Sequence, residues 1–168
     1  MRPIEQHSHR KAILLIAVVY LLFSVNAPRA AERDDPAPHP KVCTNPSGLA
    51  LRGFDPVAYF ESHRPRRGHP EITTKWRGAQ WRFATADHLR LFIENPEKFT
   101  PQYGGFCAYT MADGVFVDGN PLYWQIVNGR LFINCGAGVH RAWQSQKLEH
   151  IRAADKAWKK IGAGNPLP

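Results

Sequence analysis

Apolar and polar positions along the chain change period several times, and each change marks an element. Ala12–Val25 is a run of fourteen uncharged, mostly apolar residues. Residues 31–42 (AERDDPAPHPKV) are polar and proline-rich. They predict a flexible leader over 31–46, with folded structure beginning near Leu49. Glu71–Trp76 and Gln80–Phe83, joined through Arg77-Gly78-Ala79, carry the β-branched and aromatic residues of a strand pair. From Ala86 to Asn95 the apolar residues Leu89, Phe92 and Ile93 fall at i, i+3 and i+4, one face of a helix. Thr85 is placed to cap that helix. Pro96 is placed to end it, because the residue before a proline is pushed out of the helical region.

The strongest local signal is a hairpin. Tyr123–Val127 and Arg130–Asn134 flank Asn128-Gly129, the dipeptide that best tolerates the two positive φ angles of a type I′ turn. A two-residue loop sets Val127 opposite Arg130, Trp124 opposite Ile133 and Ile126 opposite Leu131. Trp124, Ile126, Leu131 and Ile133 then share one apolar face. After Gly136–Gly138, helical spacing returns in Val139, Ala142 and Trp143, and again in Ile151, Ala154, Ala157, Trp158 and Ile161. This predicts two closing helices meeting around Glu149. Strand pair, helix, hairpin and helices make an α+β domain, a small antiparallel sheet packed against several short helices.

The apolar run near the start changes the picture of where the chain works. It follows Arg2, Arg10 and Lys11 and is shorter than the roughly 20 residues of a membrane-spanning helix. A basic start, a short apolar middle and small residues after it describe a secretory signal peptide over 1–30, with an uncleaved anchor as the alternative. Either reading takes the chain out of the cytoplasm, to a periplasmic or secreted location. The 168 residues, 43% hydrophobic and 21% charged, suit one domain folded around a core and exclude a wholly disordered chain or a multi-pass membrane protein. The formal charge is +8, and removing residues 1–30 (four basic, one acidic) leaves +5. The densest basic stretch, His63–His69, has no interleaved aromatic residues, so it reads as a solvated loop and not as a nucleic-acid surface.

Three cysteines carry the candidate chemistry. Cys107 follows Gly104-Gly105, and a short helix over Phe106–Ala112, stopped by Gly114, would place its thiol in a first turn where unpaired N–H groups and the helix dipole lower its pKa. The alternative is a small buried hydrophobe, the usual state of a free cysteine. A thiolate would need help beyond the dipole, for which Arg82, Lys98 and His88 are the candidates. Cys43 and Cys135 are possible disulfide or redox partners, and three cysteines leave the pairing open. No C-x-x-C is present. His39, His63, His69, His88, His140 and His150 show no metal-ligand spacing, and each reads first as a surface histidine. Asp55, Asp87, Asp113 and Asp118 read as turn and helix-start residues. No motif names a catalytic residue.

Several motifs in register resemble the exported YHS-domain proteins. They are Gly53-Phe54-Asp55-Pro56-Val57-Ala58-Tyr59-Phe60, Trp81-x-Phe83-Ala84-Thr85, Phe92-x-x-Asn95-Pro96-Glu97-Lys98-Phe99, and Pro101-Gln102-Tyr103-Gly104-Gly105-x-Cys107-Ala108. Trp124, Asn128-Gly129 and Leu131 fit the same pattern. The resemblance covers about residues 47–160, so the chain divides into signal peptide, leader, a YHS-like domain over 47–162 and a tail over 163–168. Related YHS modules in metal-transport and metal-resistance proteins are thought to bind metal through cysteines. Where those modules read Asp-Pro-Val-Cys, this chain has Asp55-Pro56-Val57-Ala58. Where they read Phe-Cys-Ser with a further cysteine three residues on, it has Phe83-Ala84-Thr85 and His88. Of those positions only His88 is still able to ligate a metal.

The resemblance implies an exported binding protein, a metal-binding or metal-handling accessory whose ligand is a transition metal ion near Cys107 with His88. Two alternatives come from other classes: a thiol-redox protein using Cys107, resolved by Cys43 or Cys135, and a structural or partner-binding module without a small ligand. The expected partners are a metal ion or another exported protein. No nucleic acid is expected, and membrane contact is expected only through an uncleaved N-terminus.

Overall fold

The computed structural model describes residues 42–162. The expected signal segment over 1–30, most of the expected leader and the tail 163–168 lie outside the described residues. The fold is α+β, with two separate two-stranded antiparallel sheets and short helices. In chain order the elements are α1 (Ala58–Glu61), β1 (His69–Trp76), β2 (Ala79–Phe83), α2 (Ala86–Glu94), α3 (Pro96–Phe99), β3 (Asn120–Val127), β4 (Arg130–Asn134), α4 (Ala137–Ser145) and α5 (Lys147–Gly162). No helix among the described residues is long and apolar enough to cross a membrane.

Structure begins earlier than the leader composition predicts. Val42 is buried, the Cys43 N–H donates to the Gly104 carbonyl at 2.9 Å, and Thr44 pairs with Ala50. Burial and backbone pairing therefore hold residues 42–46 against the domain, against the expectation of a flexible segment.

The first sheet turns through Arg77-Gly78 alone, with Trp76 opposite Ala79, so the loop has two residues and not three. Both turn residues take positive φ, 48° and 71°. The arginine tolerates this while its guanidinium covers the Trp76 ring at 4.3 Å and donates to Glu97 at 2.9 Å. Ala79, Trp81 and Phe83 alternate into the core from β2. α2 starts where expected, with the Thr85 hydroxyl accepting from the His88 N–H at 3.1 Å. Its inner residue is Phe92, wedged among Trp76, Trp81 and Phe83. Ile93 does not join it and is 53% exposed, because one step of about 100° carries it off a narrow apolar stripe.

The second hairpin has the expected register, with Val127 opposite Arg130, Ile126 opposite Leu131 and Trp124 opposite Ile133. Asn128 and Gly129 take φ of 50° and 73°. Leu131 and Ile133 are fully buried, while Trp124 is half-buried, edge-on to Tyr59 with ring centroids 5.1 Å apart.

β4 is buried on both faces. Leu131 and Ile133 face the first core, built on Tyr59, Trp81, Phe83, Phe92 and Phe99. Phe132 faces a second core with Tyr103, Met111, Trp143, Ile151 and Ala154. α4 and α5 close that second core. A bidentate ion pair fastens α5: Arg130 donates to both Asp155 carboxylate oxygens at 2.6 and 3.0 Å, and the Tyr103 hydroxyl donates to Asp155 at 2.9 Å. Burial acts to raise the Asp155 carboxyl, but the Arg130 and Tyr103 hydrogen bonds outweigh it and hold the group below its usual range.

Because Ile133 is fully buried in the first core and its truncation leaves a cavity, Ile133→Ala is expected to cost about 2–5 kcal/mol in a denaturant titration. Ile93→Ala is expected to stay within about 0.5 kcal/mol. Equal costs at the two positions would reverse the assignment of inside and outside.

Candidate functional site

Three groups of polar side chains stand out, and each sits where the backbone departs from regular structure. The first is built on Asp55, a carboxylate with no exposed surface. One oxygen accepts from the Val57 and Ala58 N–H groups at 2.8 and 3.3 Å, as an aspartate does at the start of a helix. The other accepts from the Ala84 N–H at 2.7 Å and meets His88 Nδ1 at 2.6 Å. Asp55 is thus the turn residue its sequence context suggests and also the partner of a histidine thirty-three positions away. His88 is not a solvated surface residue. Its side chain is 13% exposed and its Nδ1 is committed to Asp55, which leaves Nε2 as the ring's open nitrogen.

The second group surrounds Cys107. The expected helix over Phe106–Ala112 is not formed: a short 3₁₀ turn occupies only Thr110–Asp113, ended by Gly114 at φ 74°. Cys107 instead lies in a bridge beside Ile133, with its N–H donating to the Val117 carbonyl at 2.8 Å. Cys107 is fully buried and precedes the 3₁₀ turn, so the first-turn placement expected from the sequence does not occur. The thiol donates at 3.9 Å to Oδ1 of Asn134, itself fully buried, and Asn134 Nδ2 donates to His140 Nδ1 at 3.0 Å. Burial holds His140 below the usual histidine range, which keeps its ring neutral. Cys135 is half-buried beside this chain. Burial first, and then the neighbouring Cys107 sulfur, push Cys135 up to about 11.

The third group lines a cleft of about 180 Å³ walled by Cys43, Leu51, Arg52, Gly105 and Asp118. Leu51 and Arg52 both take left-handed backbone, φ 48° and 51°, which costs a non-glycine residue about 1–3 kcal/mol. Opposite them, Gly105 at φ 87° meets Gly119 so closely that a Cβ on Gly119 would sit 2.2 Å from the Gly105 carbonyl oxygen. The Cys43 thiol donates to Asp118 Oδ1 at 3.5 Å. Burial and the Asp118 charge push Cys43 up to about 11, against the opposing pull of the Gly119 backbone hydrogen bond and Arg52.

Of the residues singled out in the sequence, the structure brings together Cys107 and Cys135 and keeps the others apart. His88 belongs to Asp55, and Cys43 belongs to Asp118. Among the described residues no hydrogen bond or ion pair joins His88 to Cys107, and no three histidine, cysteine or acidic side chains converge as a metal-binding group. A soft metal ion wants several thiolate or imidazole ligands, so this donor set does not fit the multi-ligand site that the resemblance implies. Lys98 lies over the Phe99 ring at 4.7 Å, away from the role considered for it. Asn134, His140, Arg52 and Asp118 were not singled out as site residues. Asn134 at the end of β4 and His140 in the first turns of α4 lie within six residues of each other and close to Cys135 in sequence, and that local clustering is the available signal.

No protein-family model, no curated protein and no solved structure matches the chain.

Removing the Asp55 carboxylate leaves three backbone donors and His88 without their acceptor. Asp55→Ala is therefore expected to destabilise by about 3–5 kcal/mol, and His88→Ala by clearly less, in urea unfolding. A His88 variant as damaging as the Asp55 variant would mean that the ion pair, not the backbone bonds, holds the site.

A pH dependence also follows from the thiols. Cys43 and Cys135 titrate near 11 when folded, against a reference value of 9.0, so the folded state holds these protons where the unfolded state releases them. Stability is therefore expected to fall as pH rises from about 9 to 11. Cys43→Ser should reduce that slope in unfolding titrations, and an unchanged slope would remove Cys43 as a cause.

Proposed function

We propose that this chain is an exported binding protein of the YHS type, and that its ligand is a small molecule carrying both an anionic and a cationic group. The cleft between Arg52 and Asp118 receives it, with Arg52 facing the anion and Asp118 the cation. The observation that carries this reading is the cleft itself: Arg52, Asp118 and the Cys43 thiol line it, and Leu51 and Arg52 hold left-handed backbone at its wall. Backbone held in such conformations marks places where the surrounding structure spends stability to position groups. The volume of about 180 Å³ is below the about 300–1,000 Å³ of sites for drug-sized ligands, which favours a compact ligand.

Binding is favoured over thiol catalysis by the state of the sulfurs. A thiol titrating near 11 is ionised in only about one molecule in ten thousand at neutral pH. Cys43 therefore acts in the cleft as a protonated donor to Asp118, whose charge opposes ionisation of the thiol.

The test uses the free amino acids as probes of a small zwitterion, followed by thermal unfolding of the full chain. At a hundredfold excess over the dissociation constant a true ligand adds about 2.7 kcal/mol of stability. Arg52→Ala and Asp118→Asn are each expected to abolish the shift. A shift that survives both substitutions, or no shift with any amino acid, would overturn the reading.

A further inference from the structure

We propose that Cys107 and Cys135 form a modification site, closing into an intramolecular disulfide that leaves Cys43 as the free thiol. The placement of the two chains carries this inference. Cys107 bridges Ile133, and the next N–H, that of Ala108, donates to the Ile133 carbonyl at 2.8 Å. The Cys107 thiol reaches one residue further along β4, to Asn134 Oδ1 at 3.9 Å. Cys135 is the following residue, next in the chain to the one the Cys107 thiol lies against, and Cys107 acts on its titration. Cys43 has a different set of neighbours, namely Asp118, the Gly119 backbone and Arg52, with no sulfur among the groups that act on it. Three cysteines permit three pairings, and the bridge of Cys107 to Ile133 with the thiol contact to Asn134 favours this one.

The exposures set the order of events. Cys135 is half-buried and open to a disulfide donor, whereas Cys107 is fully buried and open only to its neighbour. Cys135 loses its proton to solvent and attacks one sulfur of the donor, here oxidised glutathione. The donor S–S bond breaks, and one glutathione leaves as a thiolate that takes up a proton. Cys107 then loses its proton and attacks the Cys135 sulfur, forming the Cys107–Cys135 bond and expelling the second glutathione. Two protein thiols are oxidised by two electrons, and one donor disulfide is reduced to two thiols. The exchange is slow at neutral pH, because the attacking sulfur is rarely ionised.

The experiment takes the reduced full chain, treats it with oxidised glutathione, blocks remaining thiols with iodoacetamide under denaturing conditions, and reads intact mass and non-reducing peptide maps. The expected product has lost two hydrogen atoms and carries one alkylated cysteine, Cys43, with one cross-linked peptide pair joining Cys107 to Cys135. The closed loop spans the β3–β4 hairpin, and the thermal midpoint should rise on the order of 10 °C. Cys43→Ser should form the same bridge. Cys135→Ser should form none, with its Cys107 alkylated only after unfolding. A bridge that includes Cys43, glutathione retained on Cys135, or three alkylated thiols after prolonged oxidation above pH 8 would each overturn the proposal.

Discussion

The buried carboxylate of Asp55 is the interaction on which the arrangement of the first core depends. An ionised carboxylate removed from water is costly unless its lone pairs are met, and here four donors meet them. Those donors come from separate stretches of chain: the start of α1, the segment after β2, and the first turn of α2. Fixing one carboxylate therefore fixes how the Gly53–Tyr59 stretch lies against the end of β2 and where α2 begins. Nearby Tyr59 shows the consequence. Its hydroxyl is buried, donates to the Pro121 carbonyl at 3.0 Å, and is pushed up first by burial and then by the Asp55 charge. A single anion thus links the N-terminal loop to the second hairpin through Tyr59.

β4 is the other shared element. A strand with one face in each of two cores has no side facing water, and Leu131, Phe132 and Ile133 in succession read as a continuous apolar run for that reason. Around it the polar residues are placed where they can be paired. Arg130 at the turn end takes Asp155 and Gln102, and Asn134 at the far end takes Cys107 and His140. The same strand thus anchors α5 at one end and holds the thiol pair at the other.

The three cysteines show how one residue type acquires three roles from its surroundings. Cys107 is sealed between two backbones, Cys135 is at the edge of the same packing, and Cys43 lines an open cleft opposite an arginine. At Cys43 the Asp118 charge and hydrogen bond oppose the pull of Arg52. Desolvation governs Cys43 and Cys135, and the chemistry available to them is hydrogen bonding and slow exchange in preference to rapid nucleophilic attack.

Much of the fold was legible in the residues because it is set locally. Asn128-Gly129 determines its turn and hence the register of every pair along β3 and β4 down to Trp124. Thr85 and Pro96 mark the ends of α2, and the alternation of Ala79, Trp81 and Phe83 marks the inner face of β2. The misreadings arose where distant groups compete for the same backbone. Phe106–Ala112 has the look of a short helix, but the Val117 and Ile133 carbonyls take the Cys107 and Ala108 N–H groups, and a bridge forms instead. Ile93 fits the helical period, but the side of the helix that meets the core carries Phe92, Leu89 and Leu91 and leaves Ile93 in solvent. Asp55 and His88, or Cys107 and Cys135, carry no sign of each other in the sequence, since no short-range rule couples residues about thirty apart. Local conformational preference and turn chemistry are properties of a few consecutive residues, whereas which polar groups meet in a dry interior is decided only when the whole chain is packed.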